Sequence, residues 1–337
     1  MDTKCVHTAR VEVILKRARI MQAIRHFFER QGFVEVDTPI ALTAPAPEPN
    51  INAPQVTLRS CDASFARFLQ TSPELPMKRV IAWGLPRIYQ IAAVFRDGDF
   101  SDIHRPEFRL LEWYRRDSGW EELLADCEAL LRQVAEVAET GQTLVFENRQ
   151  VNIAAPFERL SVEDLFLQHL GFSILDALDQ ETLQARLVEI GLHVEPEEPW
   201  EDLFFRAFVG RIEPEIARMP RPVFVTHYPT PLAALARPVQ GDPRASERFE
   251  LYVGGLELAN GFGELTCPHE QRRRFLHDSK RRAQTQRATY PLDENFLSDL
   301  SLLPEAAGIA LGVERLLMLV LGVDNIDAVN PIPWSES

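Results

Sequence analysis

The stretch FRDGDFSDIHRPEFRLLEWY, residues 95–114, places one carboxylate, Glu112, inside an apolar run of leucine and tryptophan. Its second half, residues 107–115, predicts a β-strand. Side chains alternate between the two faces of a strand, so Phe108, Glu112 and Tyr114 share one face. An aromatic ring, a carboxylate and a phenol in line are typical of a ligand-binding face, where a bound cation would compensate the acid. A surface strand that carries a stray acid is the alternative left open by these residues alone.

The segments before this strand predict the elements that surround it. Residues 11–32 carry apolar side chains at helical spacing and end on a glycine, which predicts an amphipathic helix with a glycine cap. Residues 33–40 predict a short strand that ends at a proline. The proline-rich residues 41–55 predict a loop, and residues 86–96 predict another strand.

The segments after it complete the predicted fold. Residues 121–139 predict a helix, and residues 156–245 form a less diagnostic stretch of helices and proline-rich turns. RFELYVGGLELANGF, residues 248–262, predicts a hairpin that turns at its paired glycines. GIALGVERLLMLVLG, residues 308–322, is punctuated by glycine and continues into an apolar helix. Strands mostly joined by hairpins, with helices between the groups, indicate an α+β fold with an antiparallel sheet flanked by helices.

Composition limits the class of protein. The 337 residues carry a net charge of −14, which argues against non-specific nucleic-acid binding, since such binding needs surplus lysine and arginine. No apolar run approaches the roughly 20 residues that span a bilayer, and the N-terminus lacks a secretory signal. The arginine-rich residues 272–282 are a candidate basic patch, with a solvated helix face as the alternative. Scattered cysteines without a CxxC pair predict reduced thiols in a cytoplasmic protein: Cys5, Cys61, Cys127 and Cys267.

The predicted hairpin brings two acids together. With a two-residue turn, Tyr252 pairs with Glu257 and Glu250 pairs with Ala259. Glu250 and Glu257 then lie on the same face, on the order of 5–8 Å apart. Oxygen ligands without nearby cysteine or histidine favour a hard ion such as Mg²⁺, which typically takes one or two carboxylates plus phosphates. Two exposed glutamates on a hairpin are the alternative.

Two features near this hairpin stay open at this point. Strict alternation sends Asn260, Phe262 and Glu264 to the opposite face, unless a bulge at Gly261 or Gly263 re-aims them. The apolar helix of residues 308–322 carries an arginine at position 315 near its start. Arginine is suited to gripping phosphate and to stacking on a flat ring, although a satisfied structural role is the alternative.

Together these segments resemble the catalytic domain of class II aminoacyl-tRNA synthetases, and most closely the lysyl branch. GFVEVDTPI, residues 32–40, resembles the dimer-forming first motif. Phe95 and Arg96, with His104 and Phe108, resemble the second motif, and GIALGVERL, residues 308–316, resembles the third. Further segments resemble the lysine site of that branch: TSPE at 71–74 with MKR following, LEWY at 111–114 and ELANGFGEL at 257–265.

The length of the flanks indicates which members are most similar. The first motif starts near residue 32 and the third ends near residue 322, so neither flank holds another domain of roughly 50 residues. The chain therefore resembles the elongation factor P–lysine ligase family, stand-alone paralogues without the anticodon-binding domain. A single catalytic domain over residues 10–330 and a homodimer are expected. Ala310 agrees with this family, because the tRNA-charging enzymes usually have glycine there.

This resemblance implies an ATP-dependent, AMP-forming ligase that activates lysine, with (R)-β-lysine preferred. The acceptor it implies is a lysine side chain of elongation factor P, with neither tRNA nor membrane as partner. The resemblance implies that Arg96 bridges the substrate carboxylate and the α-phosphate, and that Phe108 stacks on adenine. His104 and Arg315 are the other nucleotide residues that it implies, and Glu250 and Glu257 would hold Mg²⁺. The lysine residues that it implies are Glu112, Glu264 and Tyr114 for the far ammonium, Glu74 and Asn260 for the other amine and the carboxylate, and Phe262 and Ala310 in the pocket wall.

The sequence departs from the family pattern at the second motif. Arg96 is followed by Asp97 and Gly98, where the motif commonly reads Arg-x-Glu, and Asp102 stands where relatives have arginine. These departures keep two alternatives open. One is a minimal lysyl-tRNA synthetase-like ligase that loads tRNA or another carrier. The other is a non-catalytic paralogue that regulates a partner.

Overall fold

The structure is a computed structural model and describes residues 3–336. The strands are β1 (Val34–Glu35), β2 (Ala41–Leu42), β3 (Gln55–Arg59), β4 (Ser64–Leu69), β5 (Arg87–Phe95), β6 (Glu107–Arg116), β7 (Thr143–Phe146), β8 (Arg149–Asn152), β9 (Glu158–Ser161), β10 (Val223–Thr226), β11 (Pro238–Val239), β12 (Asp242–Ser246), β13 (Arg248–Val253), β14 (Leu256–Gly263) and β15 (Ala306–Gly312). The helices are α1 (Thr3–Arg30), α2 (Glu74–Ala82), α3 (Glu121–Val137), α4 (Val162–Leu170), α5 (Gln180–Glu189), α6 (Trp200–Ala207), α7 (Glu213–Ile216), α8 (Pro268–Gln284), α9 (Glu294–Leu300) and α10 (Val313–Leu321). A π-helical turn covers Phe208–Ile212, and 3₁₀ turns cover Thr230–Leu232, Ile326–Val329 and Trp334–Glu336.

The main sheet has the strand order β1-β5-β6-β15-β14-β13-β10-β9. Its central pairs are antiparallel, and only the edge pairs β1–β5 and β9–β10 are parallel. The predicted α+β class with an antiparallel sheet is confirmed. β1 is shorter than the predicted strand over residues 33–40, because only two of its residues pair with β5.

The alternation along β6 decides which face of the sheet is core. Leu111 and Trp113 are fully buried among side chains of α1, α3 and α10. Phe108 and Tyr114 therefore point to the other face, together with Glu112. The register continues this face onto neighbouring strands, since Glu112 pairs with Gln90 on β5 and with Ala310 on β15. The helix predicted over residues 11–32 is α1, which ends as expected before a glycine with φ of 75° at position 32.

Two segments contain strands that were not predicted. The proline-rich residues 41–55 include β2 and the first residue of β3, and both strands pair with β4 in a small separate sheet. Residues 156–245 contribute β9 and β10 to the edge of the main sheet. Helices α4, α5 and α6 pack there around a second apolar core that includes Phe166, Phe204 and Tyr228.

The hairpin turns at the paired glycines as predicted, but its register is wrong beyond the first two pairs. Leu251 pairs with Ala259, and Glu250 pairs with Asn260, so Leu258 is an extra residue in β14. A bulge of this kind moves every later side chain to the other face. Asn260 therefore lies on the face of Glu250, together with Phe262 and Glu264 beyond it.

The bulge lies before the glycines that were its predicted cause. A Cβ atom at Gly261 would come within 2.5 Å of the Phe249 ring. The glycine is therefore needed where the neighbouring strand packs its aromatic side chain, and the bulge does not depend on it.

The arginine-rich residues 272–282 lie on α8 and do not form a free basic patch. Arg272 pairs with Glu294, and Arg273 with Glu270. Arg282 is fully buried and donates to the backbone carbonyls of Glu48 and Ile51. Most of the positive charge on this helix is therefore already compensated or used to hold the loop before β3. Arg274 and Arg281 are likewise engaged, by Glu270 and Glu201.

Two further expectations concern the membrane and the cysteines. Within residues 3–336, no helix has both the length and the apolar character that crossing a bilayer requires. Cys61 and Cys267 are exposed free thiols, and Cys127 is buried and free. The Cys5 side chain lies outside the described part of the structure.

Candidate active site

The face of the sheet that carries Glu112 borders a cavity of about 380 Å³. Strands β6, β13, β14 and β15 supply its floor, and α10 and the turn between β5 and β6 close one end. The loop before β3 and the N-terminus of α2 close the other end. Segments more than 200 residues apart in the chain therefore meet in one cleft, as Glu74 and Arg315 both line it.

The end of the cavity near α10 is basic and aromatic. The Arg96 guanidinium lies over the Phe108 ring, 5.1 Å from its centroid. Arg315 donates to the Glu257 carbonyl oxygen at 2.6 Å, and its other terminal nitrogen lies 2.6 Å from Nε2 of His104. The second and third synthetase-like motif segments and the hairpin are thus joined by hydrogen bonds at Arg315. A flat ring and two guanidinium groups in a cleft suit an aromatic base and its phosphates.

His104 is held in one protonation state by its neighbours. Burial and the adjacent Arg315 lower the pKa of His104, which favours the neutral ring. A guanidinium group can only donate, so Nε2 accepts and the ring proton resides on Nδ1. Nδ1 then donates to Ser101 Oγ at 2.7 Å. His104 therefore orients Arg315 and adds no charge of its own.

The two hairpin acids both border the cavity but differ in their surroundings. Glu250 accepts hydrogen bonds from Tyr228, Tyr252 and Arg248 at 2.5 to 2.7 Å. Glu257 lies closer to solvent, and its carboxylate is 3.7 Å from Arg315. The predicted common face is therefore observed, because the pair of Tyr252 with Glu257 that places it precedes the bulge. Among residues 3–336, no group of three histidine, cysteine, aspartate or glutamate side chains is arranged to hold a metal ion.

A buried ion cluster lies at the opposite end of the cavity. Lys78 on α2 is 1% exposed, and its ammonium lies 2.5 Å from Glu74 and 2.5 Å from Glu264. Burial alone would lower the pKa of Lys78, but the two carboxylates raise it overall. Burial raises the pKa of Glu264 to about 8 despite this partner, and its Oε1 has no hydrogen bond. Two carboxylates thus share one built-in cation.

Glu112 lies beside this cluster and is 1% exposed. It accepts hydrogen bonds from Ser72 Oγ at 2.6 Å and from Tyr114 Oη at 3.0 Å. Burial raises the pKa of Glu112 to about 8, and the Glu74 carboxylate adds to the shift. No cation contacts Glu112 within the described residues. With this raised pKa, the Glu112 carboxyl group is largely protonated at neutral pH.

Gly308 makes room for the acid cluster on β15. A Cβ atom at that position would clash with the Tyr114 ring and with Oε1 of Glu264. Only glycine lets both side chains meet over the strand. This glycine begins the third synthetase-like segment, so that segment shapes both ends of the cavity.

Most of the residues predicted for the site border the cavity, and three do not. Those that border it are Glu74, Arg96, His104, Phe108, Glu250, Glu257, Asn260, Phe262, Ala310 and Arg315. Glu112, Tyr114 and Glu264 do not border it, but Ser72, which bonds Glu112, and Glu74, which shares Lys78 with Glu264, do. The cluster is nevertheless continuous with the cavity through these two residues.

Sequence reasoning missed the role of Lys78 and of Arg248. Lys78 lies four residues after Glu74 on a short helix, with the apolar Met77 and Ile81 beside it. A lysine at that spacing inside an apolar helix face is the available signal. Arg248 begins the hairpin strand and has no comparable signal, because its contact with Glu250 depends on the fold.

Several polar atoms that border the cavity lack partners within the described chain. They include Nε of Arg96, Nε of Arg248 and Oδ1 of Asn260. Buried polar groups are normally hydrogen-bonded, so orphaned atoms that converge on one cavity indicate a ligand site. Two donors and one acceptor suit a ligand with both anionic and amine groups.

Asp102, which departs from the family pattern, has a structural role. Its side chain accepts a hydrogen bond from Asn325 at 3.0 Å, and its carbonyl oxygen accepts from the Ile326 backbone. Ile326 in turn borders the cavity. The acid therefore anchors the segment after α10 against the turn between β5 and β6.

The sheet is antiparallel, and the second and third motif segments form a cleft on it that suits a base and its phosphates. This combination defines a class II synthetase-type catalytic domain. The family model described as tRNA synthetases class II (D, K and N) matches residues 3–336. The chain is also 38% identical to the elongation factor P–(R)-β-lysine ligase of Erwinia tasmaniensis, over 96% of this chain and 95% of that protein.

Two further relatives carry the same name. The protein of Proteus mirabilis is 36% identical over 97% of this chain and 96% of its own length. The protein of Haemophilus influenzae is 35% identical over 96% of this chain and 95% of its own length. The chain therefore belongs to the class II tRNA synthetase family, within its group of elongation factor P–(R)-β-lysine ligases.

Proposed function

We propose that this protein uses ATP to activate lysine, with (R)-β-lysine preferred, and transfers the lysyl group to a lysine side chain of elongation factor P. The observation that carries the proposal is one cavity with a basic, aromatic end and a buried acid cluster at the other end. The names of the relatives support the choice of amino acid and acceptor.

The nucleotide end meets the main electrostatic difficulty of the reaction. Forming an acyl-adenylate brings a carboxylate against the α-phosphate of ATP, and the two anions repel. Arg96, with a free Nε inside the cavity, bridges the two groups and offsets the repulsion. Phe108 stacks on the adenine, and Arg315, oriented by His104, holds the nucleotide tail.

The acid cluster explains the choice of a diamino acid. Glu74, Glu112 and Glu264 carry three negative charges when ionised, and Lys78 carries one positive charge, which leaves two negative charges. A lysine isomer brings two ammonium groups and therefore neutralises the cluster. An amino acid with an apolar side chain would leave one buried carboxylate without a counter-ion.

We also propose Mg²⁺ at the hairpin acids, held by Glu250 and Glu257. The fit rests on two carboxylates that border the cavity and repel each other, as expected where phosphates complete the ligand set. When bound, the ion neutralises charge on the phosphates. Arg248 forms an ion pair with Glu250 and would orient the carboxylate that holds the ion.

A homodimer through the first motif is a further part of the proposal. Val11 and Leu15 on α1 and Val34 on β1 are each about half exposed. Exposed apolar side chains on this helix and on the strand of the first motif favour contact with a second copy.

ATP–pyrophosphate exchange tests the activation step. We expect exchange with (R)-β-lysine and, more slowly, with lysine, and none with norleucine, which lacks the far ammonium. Arg96→Ala provides the inactive reference, because it removes the bridging charge while Phe108 remains. Absence of exchange with every lysine isomer would favour the non-catalytic paralogue. Exchange with norleucine equal to that with lysine would contradict the assigned role of the acid cluster.

A further inference from the structure

A second cavity of about 220 Å³ adjoins the first. The two share a wall at β13 and β14, where Arg248, Asn260 and Phe262 border both. Glu48, on the loop before β3, also borders both. A side chain that enters through the second cavity would therefore arrive beside the reacting end of the first.

The second cavity combines apolar walls with unpaired acids. Phe205 on α6 and Leu232 on the 3₁₀ turn line it, as does Asp278 on α8. Asp278 is only 8% exposed, yet no hydrogen bond or ion pair reaches its side chain from residues 3–336. Glu201, by contrast, is paired with Arg281 at 2.7 Å. Arg281 attracts Asp278 electrostatically but forms its ion pair with Glu201. A buried carboxylate without a hydrogen-bonded partner, on a cavity with apolar side chains, favours a cationic ligand with an aliphatic stem.

Glu48 stands where the two cavities meet, and the fold fixes it there. Buried Arg282 on α8 donates to the carbonyl oxygens of Glu48 and Ile51. The Glu48 carboxylate itself has no hydrogen bond or ion pair within the described chain. Burial raises the pKa of Glu48, and it raises the pKa of Asp278 to about 7. Asp278 can therefore exchange a proton near neutral pH, while burial favours the protonated form of Glu48.

We infer that the second cavity is the entrance for the acceptor lysine, with Asp278 receiving its ammonium and Glu48 acting as the base. The inference rests on the proposed function and extends it to the transfer step. A primary alkyl amine fits this channel, because its stem packs on the apolar walls and its charge meets the acids. The lining carries three acids, Glu48, Glu201 and Asp278, against two arginines, Arg248 and Arg281, which favours a cation over the phosphate-bearing end of a nucleic acid.

The chemistry of the step balances within the site. The acceptor ammonium gives one proton to Glu48, and its nitrogen lone pair attacks the carbonyl carbon of the lysyl-adenylate. The new C–N bond forms as the C–O bond to the phosphate breaks, and AMP leaves with that electron pair. The nitrogen then loses its second proton to the phosphate of AMP, which leaves a neutral amide.

Three readouts on Glu48→Gln and Asp278→Asn test this inference. ATP–pyrophosphate exchange with (R)-β-lysine reports adenylate formation, and hydroxylamine trapping reports capture of the adenylate by a small uncharged amine. Transfer to elongation factor P reports the acceptor step. We expect exchange and trapping within about twofold of wild type and transfer at least tenfold slower, since a general base contributes about 10²–10⁴-fold. Asp202→Asn, an exposed acid on α6 outside both cavities, is the matched control.

The outcomes separate this inference from the proposed function. If wild type shows no exchange, the proposed function fails first. If wild type transfers normally and both variants do so as well, the second cavity is not the acceptor entrance. Equal losses in all three readouts would also contradict the inference, because they indicate a general effect on folding. Two variants on different elements protect the test against misfolding of either one.

Discussion

Replacing Glu112 by glutamine separates the cost of this acid to folding from its use in binding. The side chain is 1% exposed and keeps no cation beside it, only Ser72 and Tyr114 as hydrogen-bond donors. Glutamine has the same shape and is neutral at every pH. The account predicts opposite effects: the variant should fold more stably than wild type at high pH and bind lysine more weakly.

The size of the stability effect follows from the pKa. The carboxyl group has a pKa of about 8 in the fold and 4.5 as its ordinary value. Between these values the folded state holds a proton that the unfolded state has released, so stability falls as pH rises. From pH 6 to pH 9 one such group costs wild type about 3 kcal/mol, at about 1.4 kcal/mol for each pH unit up to 8. Glu112→Gln should escape this loss.

Urea unfolding at about pH 6 and pH 9 measures the first effect, and lysine KM in the exchange assay measures the second. We expect the variant to gain about 3 kcal/mol relative to wild type between the two pH values. We expect lysine KM to rise about 10- to 100-fold, from one lost charge-assisted hydrogen bond, and ATP KM to stay within about twofold. Glu107→Gln, an exposed acid on the same strand, is the control. An equal rise in both KM values, or a stability difference that does not change with pH, would refute the reasoning.

Three other substitutions test separate parts of the site. Lys78→Met leaves two buried acids without their cation and should destabilise the fold by about 3–5 kcal/mol in urea unfolding; a change below about 1 kcal/mol would mean that the cluster is not a buried ion pair. Arg315→Ala frees the Glu257 carbonyl and should raise ATP KM about tenfold or more with little change in lysine KM, and an unchanged ATP KM would contradict its role. Ala310→Gly removes a methyl group from the pocket wall and should shift the ratio of exchange rates from (R)-β-lysine toward lysine by about fourfold, whereas an unchanged ratio would show that this methyl group does not select the isomer.

The parts of the fold predicted correctly depend on local patterns. The period of two along β6 places Glu112 and Trp113 on opposite faces, and their contacts confirm it, because Trp113 packs in the main core while Glu112 bonds Ser72 and Tyr114. The glycine after α1 and the paired glycines of the hairpin require backbone conformations that other residues rarely adopt. Such signals lie within a few neighbouring residues, so the sequence alone predicts them.

The parts predicted incorrectly depend on contacts between distant segments. The extra residue at Leu258 changes the hairpin register, and nothing in the local pattern distinguishes it from regular alternation. Lys78 finds one of its two acids on its own helix, but the other comes from Glu264, far along the chain. The strand at residues 41–42 likewise forms only because β4 pairs with it. Pairing energy of this kind exists only in the folded molecule.

The roles at the site stay predictions even where the geometry agrees with them. Arg96, Phe108 and Arg315 meet in one cavity, as the motif order implied. Glu112 and Glu264 do not border that cavity and are linked to it through contacts with Ser72 and with the Lys78–Glu74 pair. The kinetic separation of lysine KM from ATP KM is therefore the measurement that decides their roles.

The destination of the activated lysine is the most direct test of the central claim. The chain is incubated with ATP, labelled (R)-β-lysine, elongation factor P and tRNA together, and the label is followed by mass spectrometry of the protein and by acid precipitation of the RNA. The account predicts label on one lysine side chain of elongation factor P and none on tRNA. Label on tRNA, or on neither molecule while ATP is present, would contradict it.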